Sequence, residues 1–391
     1  MSDNVNTSKN ESAGAWERAR TGYGRAVGGL RDRWDTAAWW QRWIVYVLLI
    51  VGALFLPYEG LAPVMSPESN WQTILFYPIG VYVLLALGLN VVIGYAGMLD
   101  LGYVAFWAIG AYTMATMSTK YEWGFWELLP LGILMAAVSG VILGAPTLRL
   151  RGDYLAIVTL GFGEIVRKVA ENSEWLGGTR GIDHIPHPPS REGVWFAGTE
   201  IFTYKIRDAR PYYILLVGLI VLVIVFSKRL EFSRIGRAWS AIREDEDAAE
   251  IMGVPTFKFK LLSFAIGAAI GGSAGVVFAS KASYVAPANF PFLLSATILA
   301  AVVLGGAGNI PGVIAGAFLV AWLPERFRVV TEYRDLAFGG ILVLMMIVRP
   351  EGLIPSRQRK AEMEEGSGGL GSMGAEVAGP GTSAGAEVGS K

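Results

Sequence analysis

Residues 211–227 read Pro-Tyr-Tyr-Ile-Leu-Leu-Val-Gly-Leu-Ile-Val-Leu-Val-Ile-Val-Phe-Ser, without one charged side chain, and the run stops at Lys228-Arg229. A helix rises about 1.5 Å per residue, so about 20 predominantly apolar residues cross the hydrocarbon core of a bilayer. This stretch is the cleanest such segment in the chain, and it sets the class: a membrane-spanning helix. Working outward, nine more segments follow the same rule: 40–57, 74–95, 98–118, 128–148, 154–171, 259–281, 292–305, 309–324 and 336–349. The first opens on Trp39, Trp40 and Trp43, an aromatic cluster suited to a membrane interface. No ten-residue alternating strands of the membrane-barrel kind occur. The expected fold is all-α, a polytopic transmembrane helical bundle of about 8–10 spans, some broken or re-entrant.

The whole composition agrees. Of 391 residues, 53% are hydrophobic and only 17% charged, with 49 Gly, 18 Pro, no Cys and two His; mean hydropathy is +0.44. The 33 basic and 33 acidic groups cancel, which removes the bulk positive field expected of a nucleic-acid binder. Without Cys there is no disulfide scaffold, thiolate metal site or thiol catalysis. His184 and His187 flank Pro186 and precede Pro188-Pro189, so they share no helix face, and no metal site is expected there. No catalytic residue is expected.

Charge is segregated along the chain. Residues 1–38 form a polar N-terminal tail and 357–391 a Gly/Ser/Ala/Glu-rich C-terminal tail, both expected to be disordered, around a transmembrane domain at 39–356. Of the 33 Lys and Arg, seven lie in 1–42, two at 149–151, seven in 228–260 and five in 349–391. With ten crossings these segments share one side, and the positive-inside rule makes it the cytoplasm. Both termini are then cytoplasmic, and the protein is a multi-pass component of the cell (inner) membrane. Arg326, Arg328 and Arg334 run against that assignment.

The glycines inside the spans are patterned. Gly140/Gly144, Gly267/Gly271/Gly275 and Gly308/Gly312/Gly316 each fall four apart, on one helix face. Small faces let backbones approach where lipid supplies no hydrophobic drive; alternatively, some of these glycines permit motion around a pathway. Two segments go further, Gly94-Tyr-Ala-Gly-Met-Leu-Asp-Leu-Gly102 and Gly305-Gly-Ala-Gly-Asn-Ile-Pro-Gly312. Non-helical backbone at membrane depth needs a protein or watery surround, and paired interruptions point to a transport site. Candidate pathway residues are therefore Asn90, Gly97, Asp100, Gly102, Glu164, Gly306, Gly308 and Asn309. An intramembrane carboxylate is costly and hence a functional candidate. The competing reading is that Asp100 and Asn309 cap helix starts and that Glu164 pairs with Arg167 or Lys168.

Segment 228–260 is the one sizeable charged internal loop on the basic side. Ala238, Ala241/Ile242, Ala248/Ala249 and Met252 fall roughly at helical spacing, interrupted by the acidic run 244–247 and stopped by Gly253-Val-Pro255. One or two short amphipathic helices are expected. Anionic headgroups would repel Glu244 to Asp247, and small Ala faces anchor poorly in lipid, so docking into a cleft on another protein fits better.

Gly236-Arg-Ala-Trp-Ser-Ala-Ile-Arg-Glu-Asp-Glu-Asp-Ala-Ala-Glu-Ile-Met-Gly253 resembles the coupling-helix loop of ABC importer permeases for branched-chain amino acids, the LivM type. Gly94–Tyr112, Leu148–Glu164, Gly177–Ile182 and Val303–Gly312 are also similar to that family, in order, over about 40–356. The resemblance implies a second permease subunit, two cytoplasmic ABC ATPase subunits and a periplasmic or extracellular substrate-binding protein. It assigns ATPase coupling to Arg237, Ala238, Ile242, Arg243, Glu244, Asp245, Ala248, Ala249 and Gly253. No phosphate loop of the Gly-x-x-x-x-Gly-Lys-Ser/Thr kind occurs in the chain, so ATP and Mg are expected on the partners, with no cofactor bound by this chain. The expected action is alternating access. Asp100-Leu-Gly-Tyr103 is nearer the amino-acid branch of the family than the urea permeases. Urea or short-amide import remains the alternative, ahead of a secondary transporter, for which intramembrane charge is scarce, and of a structural scaffold.

Overall fold

The computed structural model describes residues 48, 51–57, 70–147, 153–190, 195–196, 199–200, 204–205, 208–326, 339–340, 343 and 352–354. The two tails, Arg149, Arg151, Arg328, Arg334 and most of the expected spans 40–57 and 336–349 lie outside the described residues. The other eight expected spans are helical. In chain order the helices are α1 (Trp71–Tyr95), α2 (Val104–Tyr121), α3 (Phe125–Thr147), α4 (Asp153–Asn172), α5 (Arg210–Glu231), α6 (Arg234–Glu244), α7 (Glu246–Ile251), α8 (Thr256–Ala282), α9 (Phe292–Gly305) and α10 (Ile310–Arg326). Among the described residues the strands are two-residue pieces, of which β1 (Ile182–Asp183) and β4 (Tyr284–Val285) are antiparallel partners, as are β2 (Trp195–Phe196) and β3 (Thr199–Glu200). The protein is an all-α helical bundle.

Among the described residues, five helical segments are long and apolar enough to cross a membrane: Trp71–Tyr95, Phe125–Pro146, Arg210–Glu231, Thr256–Ala282 and Pro287–Gly305. Of the ten expected spans, 40–57 and 336–349 lie mostly outside the described residues, and α2, α4 and α10 are shorter or more polar than these five. α2 begins only at Val104, after the chain has turned back through 96–103; α4 carries Glu164, Arg167 and Lys168. α1 is itself interrupted at Tyr77, whose φ and ψ of −136° and 124° are extended; the ring of Pro78 disfavours the helical region for the residue before it.

The bundle packs as the small-residue spacing requires. α8 lies against α2 and α3, with Gly267, Gly271 and Gly275 on its α1 and α2 side: added Cβ atoms there would meet Val92, Phe106 and the Trp107 carbonyl. Gly140 faces Phe264 and Ala268 of α8, and Gly316 faces Ala301 and Gly305 of α9. These faces therefore serve close backbone approach. Around them Trp107, Phe106, Tyr103, Phe264 and Leu84 are fully buried.

The helix ends sort into two groups. At one, Trp71 donates through Nε1 to the Leu56 carbonyl, Lys120 reaches the Trp175 carbonyl, and β1 pairs with β4. At the other lie the turns 94–98 and 306–309, helices α6 and α7, and residues 353–354.

Candidate functional site

The sequence between α5 and α8 folds as two short helices. Ser233 caps α6, its hydroxyl accepting from the Ile235 and Gly236 amides at 3.1 and 3.3 Å. Asp245 is the break: its backbone is extended, and its side chain accepts the Ala248 amide at 3.0 Å, starting α7. Gly253, at φ 87°, ends α7 in a left-handed turn; such a turn costs a residue bearing a Cβ about 1–2 kcal/mol.

α6 is pinned to the bundle. Trp239 is fully buried, stacks on Tyr95 at 6.4 Å and donates through Nε1 to the Phe259 carbonyl at 2.7 Å. Lys260, buried at the start of α8, forms an ion pair with Glu246 of α7. Ala238, Ile242 and Ala249 are buried against the chain's own helices. Of the expected coupling residues, these three are covered by the protein itself. The open surface is formed by Arg237, Glu244, Asp245, Ala248 and Gly253, together with Ile251 and Met252, which are 86% and 84% exposed. Ile251 was not among the expected residues; its place after the Ala248-Ala249 pair was the available signal.

The structure joins the two glycine segments to this loop. Arg243 donates through Nη1 to the Gly94 carbonyl at 2.7 Å, and its aliphatic stem lies over Gly97. Asn90 Oδ1 accepts the Gly308 amide at 2.8 Å. Gly94 packs on both Asn90 and the Gly308 backbone. Asn309 donates through Nδ2 to the Ile354 carbonyl at 2.9 Å. Its side chain therefore ties down 353–354 instead of capping α10, although it stands where a cap would. Asn90, Gly94, Gly97, Gly308, Asn309 and Arg243 thus form one junction, drawn from segments 218 positions apart at Asn90 and Gly308.

The remaining pathway candidates lie elsewhere. Asp100 is wholly buried and turns on itself, Oδ1 accepting the Gly102 amide at 2.9 Å; it caps this turn, while α2 starts after Tyr103. Gly102 lies on the Thr159 backbone, and Gly306 on Gly352. Both are close-packing positions. Leu101 donates to the Thr159 hydroxyl at 3.0 Å and Val104 to that of Ser295 at 3.1 Å, which fixes the re-entrant turn between α4 and α9.

Glu164 pairs with Arg167 as its spacing anticipated, Oε2 lying 2.7 Å from Nη2 and 3.0 Å from Nε. The pair opens onto a groove between α2, α4 and the 290–292 segment, with Leu101, Val104, Leu160, Phe290, Phe292 and Ser295 among its walls. At the opposite end from α6, His187 Nδ1 lies 3.0 Å from the Ser280 carbonyl and 2.6 Å from the Tyr212 hydroxyl. Burial, more than the neighbouring Lys281 charge, pushes its pKa down, partly opposed by the Ser280 carbonyl.

The chain matches, over residues 73–348, the family model described as branched-chain amino acid transport system / permease component. It is 46% identical over 300 residues to the high-affinity branched-chain amino acid transport system permease protein LivM of Escherichia coli (strain K12), spanning 73% of this chain and 71% of that protein. LivM of Salmonella typhimurium (strain LT2) is likewise 46% identical over 299 residues, spanning 73% and 70%. The high-affinity branched-chain amino acid transport system permease protein LivH of E. coli (strain K12) is 27% identical over 289 residues, spanning 70% of this chain and 91% of that one. No solved structure matches the chain.

Proposed function

The chain belongs to the branched-chain amino acid transport system permease component family, the permease part of an ABC importer, and from that premise we propose that it forms the translocation pathway for branched-chain amino acids together with a second permease subunit. Two cytoplasmic ABC ATPases power it and an external binding protein delivers the ligand. The similarity to both LivM and LivH supports a pair of unlike permeases. The observation that carries the mechanism is Arg243 on the Gly94 carbonyl. A helix on the bundle's surface is thereby hydrogen-bonded to one broken segment, which Asn90 ties to the other.

Movement imposed on α6 and α7 by a partner reaches both broken turns directly. A broken turn shifts at smaller cost than an intact helix, because fewer ladder hydrogen bonds must be given up. Trp239 and the Lys260–Glu246 pair keep α6 and α7 moving as one body with the start of α8. The result is alternating access, with ATP hydrolysed elsewhere and this chain non-catalytic. On this reading α6 and α7 face the cytoplasm. If the outlying segments 40–57 and 336–349 each cross once, both termini emerge on that same side.

The test is uptake of radiolabelled leucine and of urea by the reconstituted complex of both permeases, both ATPases and the binding protein. Leucine accumulation that requires ATP is expected. ATP-driven urea accumulation without leucine would transfer the chain to the short-amide alternative.

A further inference from the structure

We propose that the outward face of α4 is the surface on which the second permease subunit packs within the membrane. This rests on the importer reading above and names the place that its unlike partner covers. Tyr154, Ile157, Val158, Ile165 and Val169 are exposed along α4, at spacings of three, four and seven that put them on one side of a helix. Gly161 lies in the middle of that side, and outside its own helix nothing stands within 4 Å of where a Cβ would be. The opposite side is the one packed on this chain: Gly163 rests on Gly102, and the Thr159 hydroxyl takes the Leu101 amide.

What covers that face follows from its charges. Glu164 stands about 16 Å from one end of α4 and about 12 Å from the other, deeper than a short carboxylate can reach out of a hydrocarbon core about 30 Å thick. It pairs with Arg167 at 2.7 Å, yet 37% of the Glu164 side chain and 27% of Arg167 stay open. An ion pair bordering lipid has lost its hydration and gains no further hydrogen bond in return.

The outward faces of α3 and α5 are built otherwise. Leu134, Val138 and Ile142 of α3 and Leu222, Val225 and Phe226 of α5 are exposed, and the charged residues of both helices stand in their end turns. Those faces suit lipid. α4, although 20 residues long, is not among the five segments apolar enough to cross a membrane, so its cover is protein at membrane depth. Of the importer's other parts, the ATPases lie in the cytoplasm and the binding protein outside, which leaves the second permease. Gly161 gives that partner's helix a place for close backbone approach, and polar side chains across such a contact complete the hydrogen bonding of the Glu164–Arg167 pair.

The photo-reactive analogue p-benzoylphenylalanine, placed at Ile157 or at Ile165 in the complete complex, reads the neighbour directly; Ile142 on α3 and Leu222 on α5 are the lipid-facing controls. Irradiation in the membrane should join both α4 positions to the second permease, identified by mass, and join the two controls to lipid. Adducts of the α4 positions with lipid only, or with another copy of this chain, would overturn the interface. So would partner adducts at Ile142 or Leu222 with none on α4. Gly161→Trp should cut the second permease that co-purifies with this chain several-fold, and Gly161→Ala should not; undiminished recovery with Gly161→Trp would also count against the surface. The photo-probe positions are exposed, so that arm stands even if Gly161→Trp folds poorly. If the unaltered chain assembles with no second permease, the importer reading itself falls; if it does assemble and the α4 probes miss the partner, only the interface falls.

Discussion

At the scale of single residues, the junction rests on two hydrogen bonds whose loss has different consequences. Asn90 is almost completely buried and satisfies the Gly308 amide. Asn90→Leu keeps the branching of the side chain but removes the acceptor and strands that donor, at a cost of about 1–3 kcal/mol. The melting temperature of the purified chain should fall by several degrees; an unchanged value would mean that the amide finds another acceptor. Arg243→Lys preserves the charge but not the fork that reaches the Gly94 carbonyl, so it should act on coupling. ATP hydrolysis by the assembled complex should continue while leucine uptake falls roughly ten-fold, about 1.4 kcal/mol of lost coupling at 25 °C. Equal uptake would remove Arg243 from the transmission path. Glu164 with Arg167 was legible because residues three apart share a helix face. Asn90 with Gly308 was not, because nothing local to either segment encodes a pairing across 218 positions.

At the scale of elements, α6 is a lever only if it is held at its inner face. Trp239 supplies that hold through full burial, the Tyr95 stack and the Phe259 carbonyl. Truncating a buried Trp costs about 3–5 kcal/mol, enough here to free α6 locally while the apolar helices stay packed. Trp239→Ala should therefore make 232–255 sensitive to protease and abolish uptake, with the chain still inserted. Amphipathic spacing announced one or two short helices interrupted within 244–247, and the break falls inside that run, at Asp245, since periodicity is a local property. It could not say which covered residues a partner covers. The opposite end has its own tie, His187 between the ends of α5 and α8. Its pKa is lowered in the fold, so the neutral ring is the stabilised form. That stabilisation is present above the free value near 6.5 and is lost as pH falls below it. The melting temperature should drop between pH 7 and pH 5, and His187→Gln should flatten that drop. A slope unaffected by the substitution would place the titrating group elsewhere.

At the scale of the whole molecule, the apolar spans determined the bundle before any contact was known, because a bilayer tolerates few other solutions. What spacing left open was how many segments cross, and the re-entrant start of α2 shows why: a hydrophobic stretch need not run from face to face. Sidedness follows instead from which loops collect at each end. Met252 is exposed beside Gly253 at the end that carries α6 and α7, and Glu122 is exposed after α2 at the end where Lys120 meets Trp175. By the basic bias of 228–260, the orientation we propose has the first end in the cytoplasm. Because the native chain has no Cys, Met252→Cys and Glu122→Cys each present one thiol at one end. A membrane-impermeant maleimide should label Glu122→Cys in intact cells and leave Met252→Cys unmodified until the membrane is opened or inverted. The reverse pattern would turn the bundle over, put α6 and α7 beyond the reach of any cytoplasmic ATPase, and so remove the coupling role of this loop together with the orientation.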